Sequence, residues 1–114
     1  MTSRRLPAKV EVSGLIRRIE AEGGFATVVH KGDAEGGALL LVVSSRGRNF
    51  ACLERILGAS GKYEWLASGA VESMGSDELR AFLAKRMRFD PDLWIVELDI
   101  ADPERFIAET TSLG

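Results

Sequence analysis

The longest strongly apolar stretch of the chain is residues 38–43, where Ala38 is followed by Leu39, Leu40, Leu41, Val42 and Val43. It falls far short of the roughly 20 residues needed to cross a hydrocarbon core. The run therefore belongs inside a folded protein, as a strand over residues 38–45. At 114 residues the chain is long enough for one hydrophobic core and too short for two ordinary domains. One domain over 1–114 is expected, with residues 1–7, which carry Arg4, Arg5 and Pro7, as a loose arm. Hydrophobic residues make up 46% and charged residues 28%, a balance that supports a packed core and argues against disorder.

Elements follow from periodicity. Val10 and Val12 alternate with Lys9 and Glu11, which predicts a short strand. From Val12 the spacing changes to that of a helix, with Leu15, Ile16 and Ile19 on one stripe and Arg17, Arg18, Glu20 and Glu22 outside it. Gly23 and Gly24 end that helix. Residues 25–31 are rich in β-branched and aromatic side chains, and the glycine-rich turn 32–37 leads into the run at 38–45, so the two strands are expected to form a hairpin. Arg46, Gly47 and Arg48 make the next turn, into a strand over 49–57 with Phe50, Cys52 and Ile56 on one face. A further strand over 62–68 carries Tyr63 and Trp65 opposite Glu64 and Leu66. Four consecutive strands predict an antiparallel meander.

Ser76, Asp77 and Glu78 suit a helix start, and Lys85, Arg86 and Arg88 suit its end. Leu79, Phe82, Leu83 and Met87 form the buried stripe, and Pro91 stops the helix near Phe89. Residues 93–100 alternate as a strand, with Trp94, Val96, Leu98 and Ile100 on the core face. Asp102 and Pro103 then start a short C-terminal helix through Phe106 and Ile107, with 110–114 frayed. The expected fold class is α+β: an antiparallel sheet of about five strands with two main helices and a short third, in two layers.

Several stretches together resemble a known family. They are Arg5-Leu6-Pro7, Leu15-Ile16-Arg17-Arg18, Gly24-Phe25-Ala26, Lys31-Gly32-Asp33 before Gly37-Ala38, and Asp90-Pro91-Asp92-Leu93-Trp94 leading into Val96-Glu97. In these the chain resembles the domain of unknown function 1491 family, small and mostly alphaproteobacterial proteins. The resemblance spans nearly the whole chain, and the Asp-Pro-Asp-Leu-Trp segment is its most specific part. It implies a compact bacterial protein and brings no activity, substrate or catalytic residue with it.

The chemistry must therefore be sought in the residues. A net charge of −2 gives no global attraction to nucleic acid or an anionic membrane, so neither is an expected partner. The single cysteine, Cys52, forms no disulfide within the chain, and no charged-then-apolar leader is visible, which points to the cytoplasm. Asp90, Asp92, Glu97 and Asp99 are candidates for a site holding Mg²⁺ or Ca²⁺, provided that they converge. Their ordinary role is to end a helix and face solvent. His30 is a candidate base, although a lone histidine at a strand end is usually structural. His30 and Cys52 are the only soft donors, too few for a zinc site. No serine has the setting of a nucleophile elbow, and the glycines at 32–37 lack the strand-to-helix setting of a phosphate loop, so no cofactor is called for.

Arg17, Arg18, Arg86 and Arg88 form a candidate basic patch if the two helices lie side by side, with Arg4, Arg5 and Lys9 adding to it. Mixed with Glu20, Glu22 and Glu78, the same arginines also suit ordinary solvated helix faces. Trp94 and Trp65 are candidate interface anchors, but a tryptophan beginning an apolar strand face is expected to be mostly buried. Weighing these, the sequence favours a small non-enzymatic binding or protein-interaction module, as a homodimer or with another protein. The alternatives are a small enzyme or metal-dependent hydrolase using Asp90, Asp92 and Glu97 with His30 or an arginine assisting, and an RNA-associated accessory protein using Arg17, Arg18, Arg86 and Arg88.

Overall fold

A computed structural model of the chain describes residues 6–57, 59–68 and 74–112. Eight elements run in order: α1 (Ala8–Ala21), β1 (Phe25–His30), β2 (Leu39–Ser45), β3 (Arg48–Leu57), β4 (Tyr63–Ser68), α2 (Ser76–Phe89), β5 (Trp94–Asp99) and α3 (Pro103–Ser112). The α+β class holds. The five strands form one sheet in the order β1-β5-β2-β3-β4.

That order corrects the expected meander. β2, β3 and β4 are joined as consecutive antiparallel neighbours, but β1 does not pair with β2. The late strand β5 lies between them, antiparallel to β1 and parallel to β2, with Leu39 opposite Trp94 and Ser44 opposite Asp99. Burial explains the choice. Leu39 to Val43 are all buried, and so are Leu93 to Val96 and Leu98, so β2 and β5 carry apolar side chains on both faces and belong at the centre of the sheet. β1 leaves Phe25, Val28 and Val29 exposed and serves as an edge. A connection spanning 31–38 is long enough to step across one intervening strand, a distance of about 10 Å.

Helices cover both faces, so the fold has three layers where two were expected. On one side α1 and α3 cover a core of Val12, Ile19, Leu41, Val43, Leu53, Val96, Leu98 and Phe106. On the other, Leu79 and Leu83 of α2 meet Leu40, Val42, Cys52 and Ile95, with Phe82 and Met87 partly buried against them. The apolar stripe read for α2 is the one that faces the sheet.

The predicted strand at Val10 and Val12 is instead the start of α1. Pro7 occupies the cap position without a side-chain hydrogen bond, and its carbonyl accepts from the Val10 and Glu11 amides. The Ala8 and Lys9 amides, which no residue of the helix can satisfy, donate to the carbonyls of Glu35 and Ala34 at 2.9 Å each. A contact distant in sequence thus extends the helix backwards. The end of α1 is as expected, with Gly23 in the left-handed region at φ +89°. Residues 1–5 of the expected arm and 113–114 of the expected frayed end lie outside the described residues, while α3 continues to Ser112.

Candidate functional site

The segments that carry the family resemblance meet at one place. The loop 31–38 crosses the start of β5, and each crossing chain holds the other by its backbone. The Asp33 amide donates to the Asp92 carbonyl at 3.0 Å, the Trp94 amide to the Ala38 carbonyl at 2.8 Å, and the Trp94 indole Nε1–H to the Asp33 carbonyl at 2.7 Å. His30 Nδ1 lies 2.7 Å from the Leu93 carbonyl, which can only accept, so Nδ1 carries the proton. Gly32 and Gly37 sit against the Asp92 carbonyl oxygen. A Cβ on Gly32 would overlap that oxygen and lie 2.7 Å from the carbonyl carbons of Asp92 and Leu93; one on Gly37 would also come within 2.9 Å of Trp94 Cδ1. This junction is built from main-chain groups and glycines, and it fixes β5 in the centre of the sheet.

It does not assemble the carboxylates. Asp90 caps α2 and its Oδ1 accepts from the Asp92 amide at 3.2 Å. Glu97 is exposed opposite Thr27, and Asp99 Oδ1 accepts from the Arg46 amide at 3.1 Å, where Arg46 turns with φ +53°. Asp92 lies in the turn before β5, and the strand from Trp94 to Glu97 alone spans about 10 Å. Among the described residues no group of three or more histidine, cysteine, aspartate or glutamate side chains is placed to hold a metal ion. His30 shares the junction end with Asp90 and Asp92, and Glu97 and Asp99 lie towards the other.

The arginines are also divided. Arg17 and Arg18 belong to α1 and Arg86 and Arg88 to α2, on opposite faces of the sheet. Arg18 pairs with Glu22 at 3.5 Å and stacks over Phe106, and Arg86 pairs with Glu54 of β3. A half-buried ion pair that the sequence reading did not find joins Glu11 of α1 to Arg55 of β3 through two contacts, with the guanidinium 5.4 and 5.6 Å from the rings of Tyr63 and Trp65. Its partners are far apart in sequence, and no local pattern marks them. Trp65 is thereby accounted for as a structural ring. Cys52, buried beneath α2, has its thiol pushed up to about 11 by desolvation, opposed by the nearby Arg86 charge.

Between α1 and β1 runs an open groove of about 400 Å³, floored by Val12, Ile16, Val28 and Trp94, with Val10 and Ser13 along its wall. Lys9, Arg17 and Lys31 rim it, and none of the three forms an ion pair with another described residue. Trp94 is 4% exposed, so it closes the groove floor and does not project from it. Beside the groove β1 presents an edge that no described residue pairs with, and Phe25 is 72% and Val29 49% exposed. The sequence reading included Lys9 and Arg17 but not Lys31 or Val28. The only signal in the sequence was the helical spacing of Val10, Ser13 and Arg17, which the strand reading of Val10 hid.

These features define a small three-layer α+β protein whose distinguishing parts are a backbone-locked central strand and an open, cation-rimmed edge. The chain belongs to the DUF1491 family, proteins of unknown function, whose profile it matches over residues 6–108. It is similar to a DUF1491 family protein from Caulobacter crescentus CB15 in a crystal structure, at 32% identity and a TM-score of 0.78, covering 90% of this chain and 94% of that one. An NMR structure of a DUF1491 family protein from the same organism gives 34% identity and 0.75 over 91% and 94%. The solution structure of protein Atu0922 from A. tumefaciens gives 31% identity and 0.70 over 86% and 88%. No functionally curated protein matches the sequence. Among the described residues no helix is long and apolar enough to cross a membrane.

Proposed function

We propose that this chain is a non-enzymatic protein-interaction module of the bacterial cytoplasm that recruits a partner polypeptide along β1. The observation that carries this reading is the edge itself. An exposed strand offers a row of amides and carbonyls ready to pair, and soluble proteins blunt such edges unless they are used. Here the protection is slight: a register shift between Val28 and His30 and the single charge of Lys31 at the strand's end, while Phe25, Val28 and Val29 stay exposed. The separation of Asp92 from Glu97 supports binding over hydrolysis, and the arginines' division between two faces supports a protein partner over RNA. A single cysteine, buried at Cys52, accords with the cytoplasm.

The test is photo-crosslinking in a bacterial host of the family, with a crosslinking residue at Thr27 of β1 and, as control, at the exposed Glu20 of α1. Discrete adducts are expected from Thr27 and not from Glu20. The same pattern from both positions, or none from Thr27, refutes the reading.

A further inference from the structure

Resting on that edge reading, we infer that the partner is an extended acidic segment which adds to β1 as a sixth strand and sets its carboxylates among Lys9, Arg17 and Lys31. The geometry fixes which side chains go where. Val28 lies opposite Val96 and faces α1, whereas Phe25 and Thr27 lie opposite Asp99 and Glu97 and face the other side. A strand laid along β1 therefore points alternate side chains into the groove and the rest towards Phe25 and Thr27. Those entering the groove meet an apolar floor and three cations.

These cations have no ion-pair partner among the described residues, in a chain whose net charge is −2. Carboxylates at alternate positions would complement them, and apolar residues between would cover Phe25. Charge also disfavours a second copy of this chain as occupant. Antiparallel pairing of β1 with its own copy keeps both α1 helices on one face and brings two sets of Lys9, Arg17 and Lys31 towards each other, a like-charge opposition that suppresses association.

The experiment uses two synthetic seven-residue peptides with blocked ends, one alternating Glu and Val, the other Gln and Val. Affinity is measured by calorimetry, and hydrogen exchange at β1 amides reports the binding place. The Glu peptide is expected to slow exchange at those β1 amides that point away from β5, which alternate along the strand. Its affinity should exceed that of the Gln peptide about tenfold, and fall about tenfold between about 50 and 500 mM salt or in the Arg17→Glu/Lys31→Glu double variant. Both substituted residues are exposed, and a melting curve checks that the double variant folds.

Equal binding of both peptides at β1 overturns the acidic partner and leaves the edge reading standing. Unprotected β1 amides, or a Glu peptide indifferent to the double variant, overturn the inference, while the Thr27 crosslink still decides the edge reading independently. Two other outcomes overturn it by naming another occupant. One is binding to phosphatidylglycerol vesicles that protects β1 and exceeds binding to the Glu peptide. The other is a dimer whose β1 amides are already protected without peptide.

Discussion

Replacing Gly32 by alanine adds one methyl group at the tightest point of the fold. That carbon would lie 2.7 Å from the carbonyl carbons of both Asp92 and Leu93, well inside van der Waals contact, and the atoms it meets are main chain. No side-chain rotation relieves the overlap, so the loop 31–38 must lift from β5. Overpacking of this kind costs about 1–3 kcal/mol. Lifting the loop also weakens the Asp33 amide bond to Asp92 and the Trp94 indole bond to Asp33, each worth about 0.5–1.5 kcal/mol. The total is about 2–6 kcal/mol, a large share of the roughly 5–15 kcal/mol that holds a domain together. At about 4 °C per kcal/mol for this size, Gly32→Ala should lower the melting temperature by about 8–24 °C. Gly14→Ala is the matched control. Gly14 lies within α1 with nothing within 4 Å of where its Cβ would stand, so alanine there should stabilise by about 0.5–1 kcal/mol through helix propensity. Urea titration and thermal melts of the two variants give the answer. A Gly32→Ala melt within about 3 °C of wild type would refute the account of the junction.

Other outcomes follow from single contacts. Trp94→Phe should lose about 1–3 kcal/mol in urea titration, because the Asp33 carbonyl keeps its place and loses its donor. Glu11→Ala leaves the Arg55 guanidinium half-buried without its carboxylate and should cost about 3 kcal/mol, much of it regained in a Glu11→Leu/Arg55→Met double variant; an additive double variant would contradict this. Cys52 should resist a thiol reagent at pH 8 in the native state and react at once in denaturant. Between pH 9.0 and about 11 the unfolded chain releases the thiol proton while the folded chain retains it, so stability should fall across that window by about 2–3 kcal/mol. A Cys52→Ala variant, lacking the group, should lose that part of the alkaline slope.

Local patterns were legible where local forces decide. The α2 stripe at Leu79 and Leu83, the stop at Pro91 and the alternation from Trp94 to Leu98 all reflect side chains whose burial is set by their own element's period. The failures share one cause, contact between segments distant in sequence. Val10 and Val12 alternate like a strand, but the carbonyls of Ala34 and Glu35 accept the first helical amides and make that stretch helical. A glycine-rich turn between two strand-like segments reads as a hairpin, yet Gly32 and Gly37 are small so that β5 can pass against the loop. One sign was present in advance: residues 38–43 are apolar without alternation, which marks a strand covered on both faces and is seldom satisfied in a two-layer meander. For the candidate site, residue types were recognised but their grouping was not. Lys31 joins Arg17 only because α1 lies over β1, and Arg17 parts from Arg86 because the sheet lies between their helices.

The central place of β5 also governs the order in which the molecule can be completed. During synthesis β2 emerges with apolar side chains for both faces, and β3 can pair with one of its edges soon afterwards, with β4 beyond it. Its other edge must wait for Trp94–Asp99, which the ribosome adds several seconds later at about 5–20 residues per second. Until then Leu39 to Val43 flank an open edge, and β1 has no neighbour at all. Nascent chains of this family halted before Trp94 should accordingly be captured by holdase chaperones or aggregate. Chains that extend through Asp99 and have left the ribosome should instead close the sheet in a single cooperative step.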